Sequence, residues 1–268
     1  DYALFITVLS GAYGNQWVNN FIYYENIGNS TAPYYEYRTS DFLGSIDLMI
    51  NASPELYDID NDGDLDLFIG TMVDPSTQPW SGRIHHYENI GGVDNPIFNF
   101  VSNEFLGTDL GTDLSLSFGN VNGDAYIDVV VGNANGFINL FLGLGDMEFE
   151  YMGEDSEIDL SGASSPELFD YNGNGYDDLI LGDSSGNVWF YINGWQDGNC
   201  WPNCFFSLID DLVPTINTYT SPTVYDINND GHFDIILGTQ ADNVLVYINN
   251  GSSLTAGSPG GSISAISQ

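Results

Sequence analysis

The sequence predicts an all-β fold, a β-propeller of about five four-stranded blades. Three observations carry that prediction: an acidic segment that recurs four times, paired apolar and aromatic runs after each copy, and no window with a helical apolar face. "SPELYDIDNDGDLDLFIG" from Ser53 returns as "SPELFDYNGNGYDDLILG" from Ser165 and "SPTVYDINNDGHFDIILG" from Ser221. "SLSFGNVNGDAYIDVVVG" from Ser115 is a more divergent copy. The copies lie about 50 to 60 residues apart, the period of a propeller blade.

Each copy continues alike. An apolar run ends in Gly, a turn follows, and a second aromatic-rich run comes next: "RIHHYENIGG", "FINLFLGLG", "VWFYING" and "NVLVYINNG". A further strand such as "IFNFV" or "FFSLI" closes most units. β-branched and aromatic enrichment bounded by turn residues calls for strands, and four short strands per unit read as blades that bury one another's faces. A β-sandwich also has many short strands, but it does not demand the same acidic loop at the same place in every unit. The first part of the chain, through "FIYYENIG" to a closing "FLG", parallels the second unit from its second strand onward. The expected organisation is therefore a propeller over 1–251, with blades at about 1–52, 53–114, 115–164, 165–220 and 221–251. Residues 252–268 then form a Gly/Ser/Pro linker and a final strand in "SISAISQ". That strand either closes the ring or is donated to a neighbouring copy, head to tail, as in filament assembly.

The loops explain the clustered charge. In "DIDNDGDLD", side-chain oxygens at positions 1, 3, 5 and 9 and the carbonyl at position 7 can wrap one hard cation, with Gly63 at position 6 free to turn. The ligand set is Asp58, Asp60, Asp62, Asp66 and the carbonyl of Asp64. The next copy offers Asn120, Asn122, Asp124, Tyr126 and Asp128. It is followed by Asp170, Asn172, Asn174, Tyr176 and Asp178, and then by Asp226, Asn228, Asp230, His232 and Asp234. Tyr126, Tyr176 and His232 fall where only a carbonyl is needed. Amides keep the oxygen and lose the charge, so the Asp58 loop should bind calcium most tightly. Ala125 stands where the Asn120 loop wants Gly. Up to four structural calcium ions are expected.

The repeated pattern resembles the FG-GAP/VCBS family, the calcium-loop repeats of integrin alpha-chain propellers and of many secreted microbial proteins. The resemblance implies that calcium is structural, held between the first two strands of each blade, and that function lies in other loops. About five units are counted here, where integrin propellers have seven.

Composition sets the function class. The chain has 268 residues, 2 Lys+Arg against 38 Asp+Glu, and a formal charge of -36, its only basic residues being Arg38 and Arg83. Nucleic acid binding and a polybasic membrane anchor both need a cationic footprint, which is absent. No stretch is long and apolar enough to span a membrane, and no signal-type segment is visible, so the sequence reads as mature, soluble material. Cys200 and Cys204 in "CWPNC" lack the further ligands a zinc site requires, which favours a local disulfide over two free thiols. Asn29, Asn51 and Asn250 match the glycosylation sequon. These features point to an extracellular or cell-surface location.

No coherent catalytic group emerges. "GDSSG", Gly182 to Gly186, matches GxSxG literally, but it falls on a turn between strands, where the hydrolase elbow needs a strand leading into a helix. His85 and His86 are neighbours on a strand and face opposite ways, so packing is their expected role. Trp17, Trp80, Trp195 and Trp201 sit in loops, where exposed indoles can stack on sugar rings or simply cap blade edges. The expected function is a non-enzymatic, calcium-stabilised structural or adhesive surface module. Its partner would be itself, as a homopolymer, or a surface protein or glycan. A carbohydrate-binding propeller is the alternative, and a propeller polysaccharide lyase or hydrolase the least favoured.

Overall fold

The computed structural model describes residues 4–7, 21–28, 34–39, 51–74, 78–93, 95–155, 157–160, 162–195, 205–208, 216, 218–240, 244–249, 251 and 254–256. The structure is all-β, with no helix among these residues. The strands are β1 (Leu4–Thr7), β2 (Phe21–Asn26), β3 (Tyr35–Thr39), β4 (Ser53–Tyr57), β5 (Asp66–Gly70), β6 (Ile84–Asn89) and β7 (Phe98–Ser102). They continue with β8 (Ser115–Gly119), β9 (Asp128–Gly132), β10 (Ile138–Gly145), β11 (Glu148–Glu154), β12 (Ser164–Phe169) and β13 (Asp178–Asp183). The last are β14 (Val188–Asn193), β15 (Phe205–Leu208), β16 (Thr220–Tyr225), β17 (Asp234–Thr239), β18 (Val244–Asn249) and β19 (Leu254–Ala256). They form antiparallel meanders, β1-β2-β3, β4 to β7, β8 to β11, β12 to β15 and β16 to β19. Two compact units divide at Ser115/Leu116, just inside β8.

The second strands β5, β9 and β13 are unbroken apolar runs because both their faces are covered. In β13, Leu179 and Leu181 pack with Val130, Ile138 and Leu140 of the preceding sheet. Ile180, one residue out of phase, packs with Phe190 and with Ile235, Leu237 and Tyr247 of the following sheet. Period-two geometry sends alternate residues to opposite faces, so two-sided burial erases the usual apolar/polar alternation. In the first unit, Leu67 and Ile69 of β5 join Ala52 and Tyr87, while Phe68 stacks on His86, ring centroids 4.6 Å apart.

The Gly that ends this run has a steric reason. A Cβ on Gly70 would lie 2.1 Å from the carbonyl oxygen of Leu114, one on Gly132 2.3 Å from that of Ser164, and one on Gly182 2.1 Å from that of Thr220. Each contacted residue stands directly before, or at, the start of the next repeat's first strand. The first strands themselves meet through hydroxyls: Ser53 and Ser115 share a hydrogen bond of 2.9 Å in the first unit, and Ser165 and Ser221 one of 2.9 Å in the second. Glu167 Oε1 accepts from Thr223 Oγ1 at 2.9 Å and from the Val224 N–H at 3.1 Å, while Ser117 Oγ accepts the Leu168 N–H. The sheets of the second unit are thus pinned edge to edge along β8, β12 and β16.

The C-terminal segment differs from expectation. Leu254–Ala256, inside the stretch read as linker, forms β19 and pairs with β18, Asn249 opposite Leu254. Gly251 at φ +76°, its N–H donating to Asn249 Oδ1, lets the chain reverse there. The strand expected in 262–268 lies outside the described residues.

Candidate metal centre

Each acidic loop joins the first and second strands of a four-stranded sheet. In the β4–β5 loop, carboxylate oxygens of Asp58, Asp60 and Asp62 lie within 4.8 Å of one another. The backbone builds this convergence by turning left-handed twice: Asn61, at position 4, has φ +60°, and Gly63, at position 6, has φ +98° with nothing within 4 Å of where a Cβ would stand. Asp58 accepts the N–H groups of Asp62 and Gly63, at 3.1 Å each. Asp64 Oδ1 is buried with no hydrogen-bond partner. Burial, followed by the charges of Asp62, Asp60 and Asp58, pushes the Asp64 carboxyl up. Three convergent carboxylates beside a fourth whose Oδ1 has no hydrogen-bond partner fit a hard divalent cation with oxygen ligands, so the residues present fit calcium.

The left-handed turn at position 4 recurs as Gly123 at φ +74°, Gly173 at +71° and Asn229 at +61°. The sequence pattern assigns a turning role only to position 6. The Asn/Gly alternation at position 4 is the signal that could have found the second turn, since those two residue types tolerate that conformation best. At position 6, Gly175 and Gly231 also have positive φ, and their N–H groups donate to Asp170 Oδ2 and Asp226 Oδ2, each at 2.9 Å. The Asn120 loop, with Ala125 at this position, closes differently: the Asn120 amide donates to the carbonyl of Asp124 at 2.8 Å. At position 7, ideal Cβ atoms placed on Gly145 and Gly251 would strike the Tyr126 and His232 rings, so these side chains pack on glycine.

Position 9 has a second task. Asp66, Asp128, Asp178 and Asp234 are all buried. Each accepts a backbone N–H from the third strand of its own sheet or the residues at its end: Asn89 at 2.8 Å, Gly143 at 2.9 Å, Asn193 at 2.7 Å and Asn249 at 2.8 Å. The other oxygen of Asp128, Asp178 and Asp234 accepts loop N–H groups, those of Val121, Tyr171 and Ile227. Burial pushes Asp66 and Asp128 up to about 6, and Asp178 and Asp234 upward as well, against the pull of these N–H donors.

Other sequence-predicted residues fall as follows. Asn51 donates its side-chain amide to Asp113 Oδ1 at 2.9 Å, so the nitrogen a glycan would occupy is engaged. Asn29, Asn250, Cys200, Cys204, Trp17 and Trp201 lie outside the described residues. Trp195 corrects the expectation of a loop indole: it is 8% exposed and belongs to the core beside Leu179 and Leu181, its backbone N–H donating to Asn193 Oδ1. Trp80, by contrast, is 67% exposed. His86 is sandwiched with Phe68 and Phe105, a packing role. In "GDSSG", Asp183 caps a tight turn from β13 into β14, accepting from Ser185 N and Asn187 N. No helix follows it.

The structure defines a class, all-β chains whose repeats carry an acidic hairpin between the first two strands of each four-stranded sheet. The FG-GAP-like repeat family matches residues 120–181 and again 170–237, so this stretch carries FG-GAP-like repeats. Such repeats make β-propeller-like modules. No curated protein matches the chain. Among the described residues, no helix is long and apolar enough to cross a membrane.

Proposed function

We propose that the chain is a calcium-stabilised β-propeller that serves as a structural or adhesive module outside the cell, without catalysis of its own. The observation that carries this reading is the convergence of Asp58, Asp60 and Asp62 next to the unpartnered Asp64 oxygen. A cation there joins the ends of the first two strands and relieves repulsion in a chain of formal charge -36. Bound calcium would supply positive charge and oxygen coordination. The chain's own residues do the rest: Asp58 to Asp62 hold the ion, while the position-9 carboxylates tie the loops to the third strands. Calorimetric titration with calcium chloride, paired with melting curves in calcium and in chelator, tests it. An identical melt in both, at matched ionic strength, removes the staple.

A second reading, carbohydrate binding, rests on Trp80. Its indole is exposed beside Ser81, whose backbone bridges to Asp74 and whose hydroxyl is held by Asp109. A pinned turn presenting a bare indole suits stacking on a sugar ring. Glycan-array binding lost on Trp80→Ala supports it, and a blank array discards it.

A further inference from the structure

We propose that Asn172 and Asn174 are sites of self-catalysed deamidation, which converts an amide-bearing loop into an all-carboxylate one. Both residues are exposed, with the Asn172 amide also donating to Asp178 Oδ2 at 3.2 Å, and both precede a glycine whose backbone the loop already holds at positive φ, Gly173 at +71° and Gly175 at +85°. Neither glycine has any atom within 4 Å of where a Cβ would stand, so nothing packs over that side of either Cα. The Gly173 N–H donates to Asp170 Oδ1 at 2.8 Å and the Gly175 N–H to Asp170 Oδ2 at 2.9 Å. One carboxylate thus sits on the proton of both nucleophiles.

The chemistry needs only water. As Gly173 N bonds to Cγ of Asn172, its proton passes to Asp170. The Cγ–Nδ2 bond then breaks, Nδ2 takes that proton and leaves as ammonia, and a succinimide remains. Water opens the ring at either carbonyl, giving aspartate or isoaspartate. Asn174 follows the same course through Gly175. Positioned proton transfer of this kind speeds a reaction by about a hundredfold or more.

The other Asn-Gly pairs whose two residues are described lack this arrangement. Gly123 N, after Asn122, donates to the amide oxygen of Asn120 and lies under the Tyr176 ring. Gly136 N, after Asn135, donates to a backbone carbonyl. Asn193 is buried, with its amide donating to the carbonyls of Val121 and Asp177. The aspartate product gives positions 1, 3 and 5 of this loop the same three carboxylates as Asp58, Asp60 and Asp62. The resulting gain in calcium affinity rests on the metal reading above. The modification itself does not.

The test ages the purified full chain in chelator at mildly alkaline pH and maps it with chymotrypsin, because no lysine and only Arg38 and Arg83 are present for trypsin. A mass gain of about 1 Da at Asn172 and Asn174, at least about tenfold faster than at Asn122 and Asn135, is expected. Asp170→Asn should abolish the difference. The unfolded wild-type chain in urea should lose it too, which covers a variant that fails to fold. Equal rates at all four residues in the native chain, or faster reaction at 172 and 174 in urea, overturn the proposal. Calcium should slow the reaction by engaging Asp170. If it does not, the metal reading of this loop fails while the modification stands.

Discussion

Asp178 reaches across its own sheet: Oδ1 accepts the Asn193 N–H at the end of β14 while Oδ2 accepts the Tyr171 N–H at the start of the acidic loop. The ninth position of the loop is therefore a brace between loop and third strand before any ion is considered. Asp178→Ala should strand the buried Asn193 N–H and the part-buried Tyr171 N–H and lower stability by about 2 to 4 kcal/mol, in chelator as well as in calcium. Urea denaturation under both conditions measures this. A loss seen only in calcium would make Asp178 a metal ligand and nothing more.

Positions 1, 3 and 5 should behave in the opposite way. Asp60→Ala and Asp62→Ala remove carboxylates from the convergent group, so they should abolish the stabilisation that calcium confers while leaving the chelator melt within about 0.5 kcal/mol of wild type, or slightly improved by reduced repulsion. Asp124→Ala, in the loop lacking the position-6 glycine, should cost less of the calcium response than Asp62→Ala. Melting temperatures across a calcium titration give the comparison. Equal losses would show that the loops do not differ as their carboxylate content implies.

The period, the strand runs and the acidic hairpins were legible because each depends on local chemistry: turn residues, apolar runs and clustered carboxylates. What escaped depends on partners distant in sequence. The bracing role of Asp66, Asp128, Asp178 and Asp234 uses backbone N–H groups, which carry no residue signature. The hint was that position 9 is Asp in every copy while positions 1, 3 and 5 wander between Asp and Asn. Trp195 lies in a Gly-rich stretch that reads as loop, yet Asn193 captures its backbone and turns the indole into the core. β19 escaped because a three-residue strand in a Ser/Gly-rich tail has too little β-branched content to stand out.

Close packing between repeats gives a steric prediction. A Cβ at residue 182 would sit 2.1 Å from the Thr220 backbone oxygen, whereas one at 238, the same repeat position, meets nothing nearer than Ser221 O at 3.5 Å. Neither glycine has positive φ, so backbone strain does not enter. Gly182→Ala should cost about 2 kcal/mol or more and Gly238→Ala under about 1 kcal/mol. Thermal melts of the two variants side by side decide it. Similar losses would mean that repeat spacing is not set by this contact.

Asp155 gives a pH dependence that can be worked out in sign. Its carboxyl is 1% exposed, Oδ1 accepts the N–H groups of Glu157 and Ile158, and Oδ2 has no partner. Burial pushes it up to about 6, with the charge of Glu157 adding to the shift and the two N–H donors opposing it. The folded state therefore holds this proton more tightly than the unfolded chain, whose carboxyl titrates near about 4. Below that value both states are protonated and the group makes no difference. As pH rises toward 6 the unfolded chain gives up its proton first, and stability falls by up to about 3 kcal/mol before levelling off. Asp155→Asn keeps the Oδ1 acceptor and removes the ionisation. The stability of Asp155→Asn minus that of wild type should then climb between about pH 4 and pH 6 and stay flat above. Urea melts at a series of pH values, in chelator so that loop carboxylates respond alike in both proteins, read that difference directly. A difference that is constant across this range would show that Asp155 does not titrate with the fold.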